Sequence, residues 1–207
     1  LTTDDFLVIG GRNARQNEAL IDRYAEPDDR VFHSQAHGGP VTLVKATAPD
    51  EPRAAVEFPQ TTVEQAAQFA VSYSSVWKDG HYTGDVYAVD PDQMTKQAES
   101  GEYLATGAFA VRGDRDYLRD VPVGVAIGVM CEPETRVIGG PPAAIVERSE
   151  VHVELEPGRF AQADVAKRIY RRFQAAFADQ RFVRSITGVD DLQGFLPPGG
   201  SRIVDGD

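Results

Sequence analysis

Between residues 108 and 157 the chain carries five short apolar runs, each ended by glycine, proline or a charged turn. In order they are AFAVRG, VGVAIGVMC, TRVIGG, AAIVER and VHVELEP. Earlier in the chain, RVFHS and PVTLVKA have the same character and are predicted to be strands that meet at a Gly38-Gly39-Pro40 corner. Short strands separated by tight turns favour a largely antiparallel sheet.

Three further segments show the apolar spacing of amphipathic helices. The first follows the short strand FLVIG, has Asn13 as a possible cap, and is predicted to turn Tyr24 inward. The second, TTVEQAAQFAVSYSSVWKDG, is predicted to begin at a Thr61 or Thr62 cap and to stop at Gly80. The third lies in QADVAKRIYRRFQAAFADQRF, and the final LPPGGSRIVDGD is predicted to be a loop. This order indicates an α+β fold, a mixed, largely antiparallel sheet with about three main helices packed on it.

Length and composition fit one domain over residues 1–207, because 42% apolar residues are enough to bury a core. Cys131 is the only cysteine, which excludes a disulfide framework and a thiolate metal cage. No apolar run approaches the roughly 18 residues of a membrane span. We therefore expect a cytoplasmic protein with no membrane partner. Since the sequence begins with Leu1, a domain cut from a longer protein is the favoured interpretation.

The formal net charge is −11, and arginine supplies nearly all of the positive charge. Scarce lysine and surplus acid suggest a salt-loving cytoplasm. An acidic surface ordinarily repels nucleic acid. At about 1 M salt, however, the Debye length falls to roughly 3 Å, so that only charges in direct contact count. Local clusters of cations therefore matter more than the sum.

Residues 31–40, VFHSQAHGGP, place His33 and His37 four positions apart. Histidines at this spacing can hold zinc when they share one face of a helix. On a strand they would lie about 13 Å apart, at roughly 3.3 Å per residue, which is too far for one ion. No third ligand follows at a suitable spacing, so a metal site is disfavoured. Packing or turn histidines and a polar binding surface both remain open.

The segment AKRIYRRF concentrates four cations on about half of the third helix: Lys167, Arg168, Arg171 and Arg172. They either balance nearby acids on a surface helix or form a ridge that follows phosphates. Arg12, Arg15, Arg112 and Arg115 are further candidates, since a neighbouring glycine or asparagine would let a nucleic-acid backbone approach. No serine lies in a G-x-S-x-G elbow and GGRNARQ matches neither phosphate-loop pattern. The residues favour a non-catalytic protein without a cofactor.

The order and spacing of the motifs resemble one known family. GGRNARQNEALIDRY, VFHSQAHGGPVTLVKA, AAQFAVSYSSVWKDG and DPDQMTKQAESGEYLATGAFAVRG resemble the NFACT-R domain, the RNA-binding domain of ribosome-quality-control proteins of the NEMF and RqcH type. The core motifs span residues 1–118. The remainder, 119–207, resembles the β-rich and helical tail of archaeal members through VIGGPPAAIVERSEVHVELEPG and LPPGGSRIV.

The resemblance implies a function and partners for a longer protein. It implies binding to a large ribosomal subunit that carries an obstructed peptidyl-tRNA, contacts with tRNA or rRNA, and support of tRNA-dependent carboxy-terminal tailing. An NFACT-N domain and a coiled coil would precede this segment in the same chain. Two rival interpretations stay open: a protein-protein interaction module, and a metal-dependent hydrolase that uses His33 and His37.

The motifs also imply site residues. Those expected to contact RNA, besides the four cations of the third helix, are Arg12, Asn13, Gln16, Asn17, His33, Gln35, His37, Lys78, Lys96 and Arg112. The glycines expected to let the RNA backbone approach are Gly10, Gly11, Gly38, Gly101, Gly107 and Gly113. Three departures weaken the pattern, since Gln35 replaces a usual acid, Ser75 replaces a usual lysine, and QMTK replaces the more common QVSK.

Overall fold

The computed structural model describes residues 1–48, 51, 55–97 and 107–204 of the protein. Its strands are β1 (Val8–Gly10), β2 (Arg30–Ser34), β3 (Thr42–Val44), β4 (Thr83–Val89), β5 (Met94–Thr95), β6 (Ala110–Val111), β7 (Asp116–Pro122), β8 (Val125–Met130), β9 (Arg136–Gly140), β10 (Val151–Phe160) and β11 (Ser201–Ile203). Its helices are α1 (Ala14–Ala19), α2 (Gln60–Ser72), α3 (Ser75–Lys78), α4 (Pro142–Val146), α5 (Gln162–Ala176), α6 (Gln180–Ile186) and α7 (Val189–Gln193).

The first sheet has the order β1-β3-β2-β4-β7, and its strand pairs are all antiparallel. Side chains alternate across it, as the strand period of two requires. Phe32, Val86 and Ala88 point to one face and pack against α2. The opposite face carries Val31 and Val89. The predicted corner between RVFHS and PVTLVKA is confirmed, because β2 pairs with β3 across it.

The opposite face of this sheet is covered at one end by a π-helical turn over Leu20–Tyr24, which follows α1, and by the β5–β6 hairpin. The prediction that Tyr24 points inward is wrong, since Tyr24 is 58% exposed. The π-helical turn explains the error: it holds more residues per turn than an α-helix. A stripe extrapolated at 3.6 residues per turn therefore leaves the core before it reaches Tyr24.

The second sheet has the order β11-β10-β8-β9. Its central strand β8 is buried at every position, because α5 packs on one face and α4 on the other. AAIVER was predicted as a strand, but its first part lies in α4, where Pro142 presets the helical φ at the first position. The predicted terminal loop contains β11, which pairs with β10.

Helix boundaries differ from the prediction at three places. α2 begins at Gln60, so Thr62 lies inside the helix and does not cap it. The Thr62 hydroxyl forms hydrogen bonds with the hydroxyl of Thr2 and with the carboxylate of Asp4. α2 ends at Ser72, and Ser74 caps the separate α3. The third predicted helix is divided into α5 and α6. β7, with the sequence DYLRDVP, was not predicted.

The two sheets are joined through the end of α2 and through α3. Trp77 packs in the core of the second sheet, and its indole N–H donates to the carbonyl of Gly200 and to Ser201 Oγ. The predicted α+β class with largely antiparallel sheets is confirmed, although the strands divide into more than one sheet. In the described part of the chain, every helix is too short or too polar to cross a bilayer.

Candidate functional site

A groove of about 1420 Å³ is lined by residues from both sheets. Three arginines line it: Arg12, Arg112 and Arg115. Among the described residues of its lining there is neither aspartate nor glutamate, although the chain contains 32 acidic residues. The groove is therefore locally cationic on an anionic protein.

The loop that presents Arg12 is built by the amide side chains around it. Asn13 caps α1, since its Oδ1 accepts a hydrogen bond from the backbone N–H of Gln16. Gln16 in turn accepts from the backbone N–H of Arg12, and Asn17 accepts from that of Val41. The Arg12 side chain stays exposed at the groove. Asn13 and Asn17 also line the groove, whereas Gln16 braces the loop outside it.

Several of the predicted glycines are required by packing within the chain. A Cβ added to Gly10 would lie 2.5 Å from the ring of Phe69, and one on Gly107 would lie 2.4 Å from the Cβ of Ala14. A Cβ on Gly11 would collide with Asn17. These glycines and Gly38 line the groove. Gly113 does not, and Gly101 lies outside the described residues.

The turn after β2 carries His37 and then Gly38. Gly38 has a φ of +76° and open space where a Cβ would point. This left-handed conformation favours glycine. Since β2 ends at Ser34, His37 does not share a strand with His33, and its exposed side chain projects from the turn beside the groove. Among the described residues no group of three or more His, Cys, Asp or Glu side chains is placed to hold a metal ion.

His33 lies on β2 with its ring half-buried in the groove lining. Its Nδ1 lies 2.6 Å from the carbonyl oxygen of Ser34, so Nδ1 carries the proton of the neutral ring. Burial lowers the pKa of His33 below its ordinary value, and contacts with the backbone carbonyls of Ser34 and Gly39 only partly oppose this effect. His33 is therefore neutral at pH 7 and suited to stacking and not to holding a phosphate.

This lowered pKa predicts a pH dependence of stability. As the pH falls through about 6.5 the unfolded histidine takes up its proton before the native one. The free energy of unfolding of the wild type must then decrease on acidification. His33→Asn is expected to flatten this decrease, measured by urea unfolding at pH 7.5, 6.5 and 5.5. His37→Asn, which removes an exposed imidazole from the adjacent turn, is the matched control. An unchanged slope in His33→Asn would contradict the prediction.

Several groove residues were missed by the sequence reasoning, and most are aromatic. Tyr87 lies opposite His33 on the neighbouring strand, and the guanidinium of Arg115 lies 5.0 Å from the centre of its ring. Tyr73 donates its hydroxyl hydrogen bond to the carbonyl of Phe195, and burial raises the pKa of Tyr73. The strand alternation in DVYAVD could have indicated Tyr87. No local signal indicated Phe195, which comes from the second sheet's side of the groove.

Two predicted lysines lie outside the groove lining. Lys96 Nζ lies 2.5 Å from Asp22 and 3.7 Å from Glu18, and its hydrogen bond to Asp22 raises its pKa. This lysine fastens the β5–β6 hairpin to the α1 region. Lys78 is exposed at the end of α3, beside Gly199. Gln35 does line the groove, where its Oε1 accepts a hydrogen bond from Arg119.

The four cations of the third predicted helix lie on α5 and do not line the groove. Lys167 and Arg171 are exposed, and the guanidinium of Arg168 lies 4.0 Å from the centre of the Phe160 ring. Arg172 is half-buried. The structure thus separates two candidate cationic surfaces: the groove and the exposed side of α5. A role of α5 in RNA binding stays a prediction.

An α+β fold that gathers arginines, amides and aromatic rings in a groove, with no carboxylate among the lining residues that the structure describes, has the features of a nucleic-acid-binding module. Residues 1–113 match the family of the NFACT protein RNA binding domain. The chain belongs to this family, and the resemblance inferred from the motifs is confirmed.

Relatives over most of the chain are ribosome quality control proteins. The chain is 36% identical over 200 residues to the archaeal Rqc2 homolog aRqcH of Methanocaldococcus jannaschii. The aligned residues are 96% of this chain and 27% of that protein. It is 33% identical to the ribosome quality control complex subunit NEMF homolog of Drosophila melanogaster, over 67% of this chain and 13% of that protein. The chain therefore spans less than a third of the length of these relatives.

Proposed function

We propose that this chain is the RNA-binding part of a ribosome quality control factor, and that the groove holds the RNA. The observation that carries the proposal is that the described residues of the lining include Arg12, Arg112 and Arg115 and no carboxylate. Arginine forms charge-assisted hydrogen bonds with phosphate oxygens, and contacts of this kind supply most of the affinity of nucleic-acid binding. The role requires no covalent chemistry.

The absence of acids from the groove lining is a local property. A second depression, of about 530 Å³, is lined by Asp28, Asp29, Asp90 and Asp116. Its arginine, Arg30, is ion-paired with Asp90 and Asp116. This part of the surface would repel phosphate, in contrast to the groove.

The names of the relatives extend the proposal to a setting in the cell. We propose that this chain acts in the cytoplasm on a large ribosomal subunit that carries an obstructed peptidyl-tRNA, and that its groove contacts tRNA or rRNA. The chain would support tailing of the stalled polypeptide by holding RNA, together with an NFACT-N domain and a coiled coil of the same protein. A chain that only docked proteins would keep its ribosomal partners after RNase digestion, whereas this proposal expects them to be released.

The proposal is tested by comparing one arginine of the groove with one of α5. We expect Arg12→Ala to weaken binding of the chain to tRNA and to large ribosomal subunits about tenfold, which corresponds to the loss of about 1.5 kcal/mol for one charge-assisted hydrogen bond. Arg171→Ala removes the same charge from an exposed position outside the groove. Filter binding at several salt concentrations measures both. Equal losses, or a loss only in Arg171→Ala, would place the RNA elsewhere.

A further inference from the structure

Three aromatic side chains form a row across the first sheet, outside the residues that the family motifs indicate, apart from His33. His33 on β2 is registered with Tyr87 on β4, and Tyr87 is registered with Tyr117 on β7. Residues in register on neighbouring strands share one face of a sheet. The ring centres lie 5.7 Å apart between His33 and Tyr87, and 6.5 Å apart between Tyr87 and Tyr117.

This row lies where the covering elements of the sheet end. The β5–β6 hairpin and the π-helical turn bury Val31, Leu43 and Val89 on the same face. His33 and Tyr87 are half-buried, and Tyr117, on the edge strand β7, is 44% exposed. Neither ring pair is parallel, since the interplanar angles are 35° and 68°. The rings therefore do not form a closed stack among themselves.

Two arginines extend the row. The guanidinium of Arg115 lies 5.0 Å from the Tyr87 ring centre, and that of Arg119 lies 4.4 Å from the Tyr117 ring centre. Arg119 is held in place by Asp85 and by Gln35, which lies in the groove lining. Two carboxylates of these strands are ion-paired, Asp85 with Arg119 and Asp116 with Arg30, while Asp120 of β7 is exposed. His33 and Tyr87 line the groove, and Tyr117 lines the acidic depression described above. The row therefore runs from the groove to the edge of that depression and presents ring faces and guanidinium planes.

We infer that His33, Tyr87 and Tyr117 form a stacking platform for unpaired nucleotides, which continues the groove toward the edge of the sheet. The inference rests on the proposed function and names its ligand class: single-stranded RNA segments. Unpaired bases stack on aromatic rings and on arginine planes, whereas a base inside a duplex cannot reach them. If the groove arginines hold the phosphates of an RNA strand, the bases of the adjacent nucleotides would lie against the rings of the platform. The neutral state of His33 suits this use.

The experiment compares an unstructured decamer of uridines with a duplex RNA of equal length, each bound to the whole chain. We expect Tyr117→Ala to weaken binding of the single strand about tenfold, within the range for loss of one stacked base, and to leave duplex binding unchanged. Tyr117→Phe keeps the ring and should bind as the wild type does. Tyr82→Ala, an exposed tyrosine outside the row, is the matched control. A decamer with one 5-bromouridine should crosslink to Tyr117 on irradiation.

Each remaining outcome counts either against the platform alone or against both proposals. If Tyr117→Ala binds the single strand as well as the wild type does, or loses affinity for duplex and single strand equally, the platform is wrong while the RNA groove stands. If the wild-type chain binds neither RNA and instead retains a protein partner after RNase digestion, both proposals fail. Thermal unfolding of Tyr117→Ala checks that the sheet is intact, and a melting temperature equal to that of Tyr82→Ala is expected.

Discussion

Replacing Arg12, Arg112 and Arg115 together with alanine is expected to lower the affinity of the chain for RNA by about a hundred- to a thousandfold. Each charge-assisted contact with phosphate contributes at least about 1.5 kcal/mol. Arg12 reaches the groove from the loop between β1 and α1, and Arg112 and Arg115 reach it from the connection between β6 and β7. Three such losses amount to roughly 3–4 kcal/mol when partial screening by salt is allowed for. This effect is larger than that of any single substitution considered above.

The salt dependence distinguishes lost phosphate contacts from a damaged fold. For single-stranded RNA, the slope of log affinity against log salt changes by about 0.7 for each phosphate contact, so the triple variant should have a slope shallower by about 2. The control replaces Lys167, Arg168 and Arg171 of α5, which removes three positive charges from outside the groove. A slope that changes equally in the two variants would show a general charge effect and would contradict the groove as the RNA site.

The α+β class could be predicted from the sequence because helix caps and apolar stripes depend on residues that are close together in the chain. Asn13 was predicted as a cap because its side chain acts on its own helix, and its bond to Gln16 confirms the reason. The helical stripe of α5 was also predictable, since Val165, Ile169 and Phe173 are buried together. β7 was not predictable in the same way. Its sequence DYLRDVP is mostly exposed, so its strand state depends on pairing with β4 and not on an apolar pattern.

The groove could be predicted only in part for a related reason. Arg12, His33, His37 and Arg112 were indicated by the family motifs, and all four line the groove. Arg115, a candidate from its place near a glycine, also lines the groove. Tyr87 and Phe195 reach the same groove from separate parts of the chain, a juxtaposition that depends on how the sheets pack. Lys96 was predicted from its motif to contact RNA. The fold places it outside the groove lining and pairs it with Asp22 and Glu18, so that contact stays a prediction.

The packing of the two sheets depends strongly on one side chain, and Trp77→Ala is expected to reduce the free energy of unfolding by about 3–5 kcal/mol. Trp77 is 1% exposed and packs in the core of the second sheet. Its indole N–H donates to the carbonyl of Gly200 and to Ser201 Oγ. Truncation of the Trp77 side chain leaves a cavity in this core. It also removes the hydrogen bond from the indole N–H on α3 to Ser201 of β11. For a chain of this size such a loss lowers the melting temperature by roughly 10 °C.

Two control variants and a measurement of RNA binding test this role of Trp77. Trp77→Phe keeps most of the apolar volume and should cost less than the alanine variant. Val146→Ala, at an exposed position of α4, should change stability by no more than about 0.5 kcal/mol. Because the groove is lined from both sheets, Trp77→Ala should also weaken RNA binding at temperatures below its melting point. A free energy of unfolding of Trp77→Ala within about 1 kcal/mol of the wild-type value would be close to the effect of a surface substitution. That result would show that α3 does not join the sheets as described.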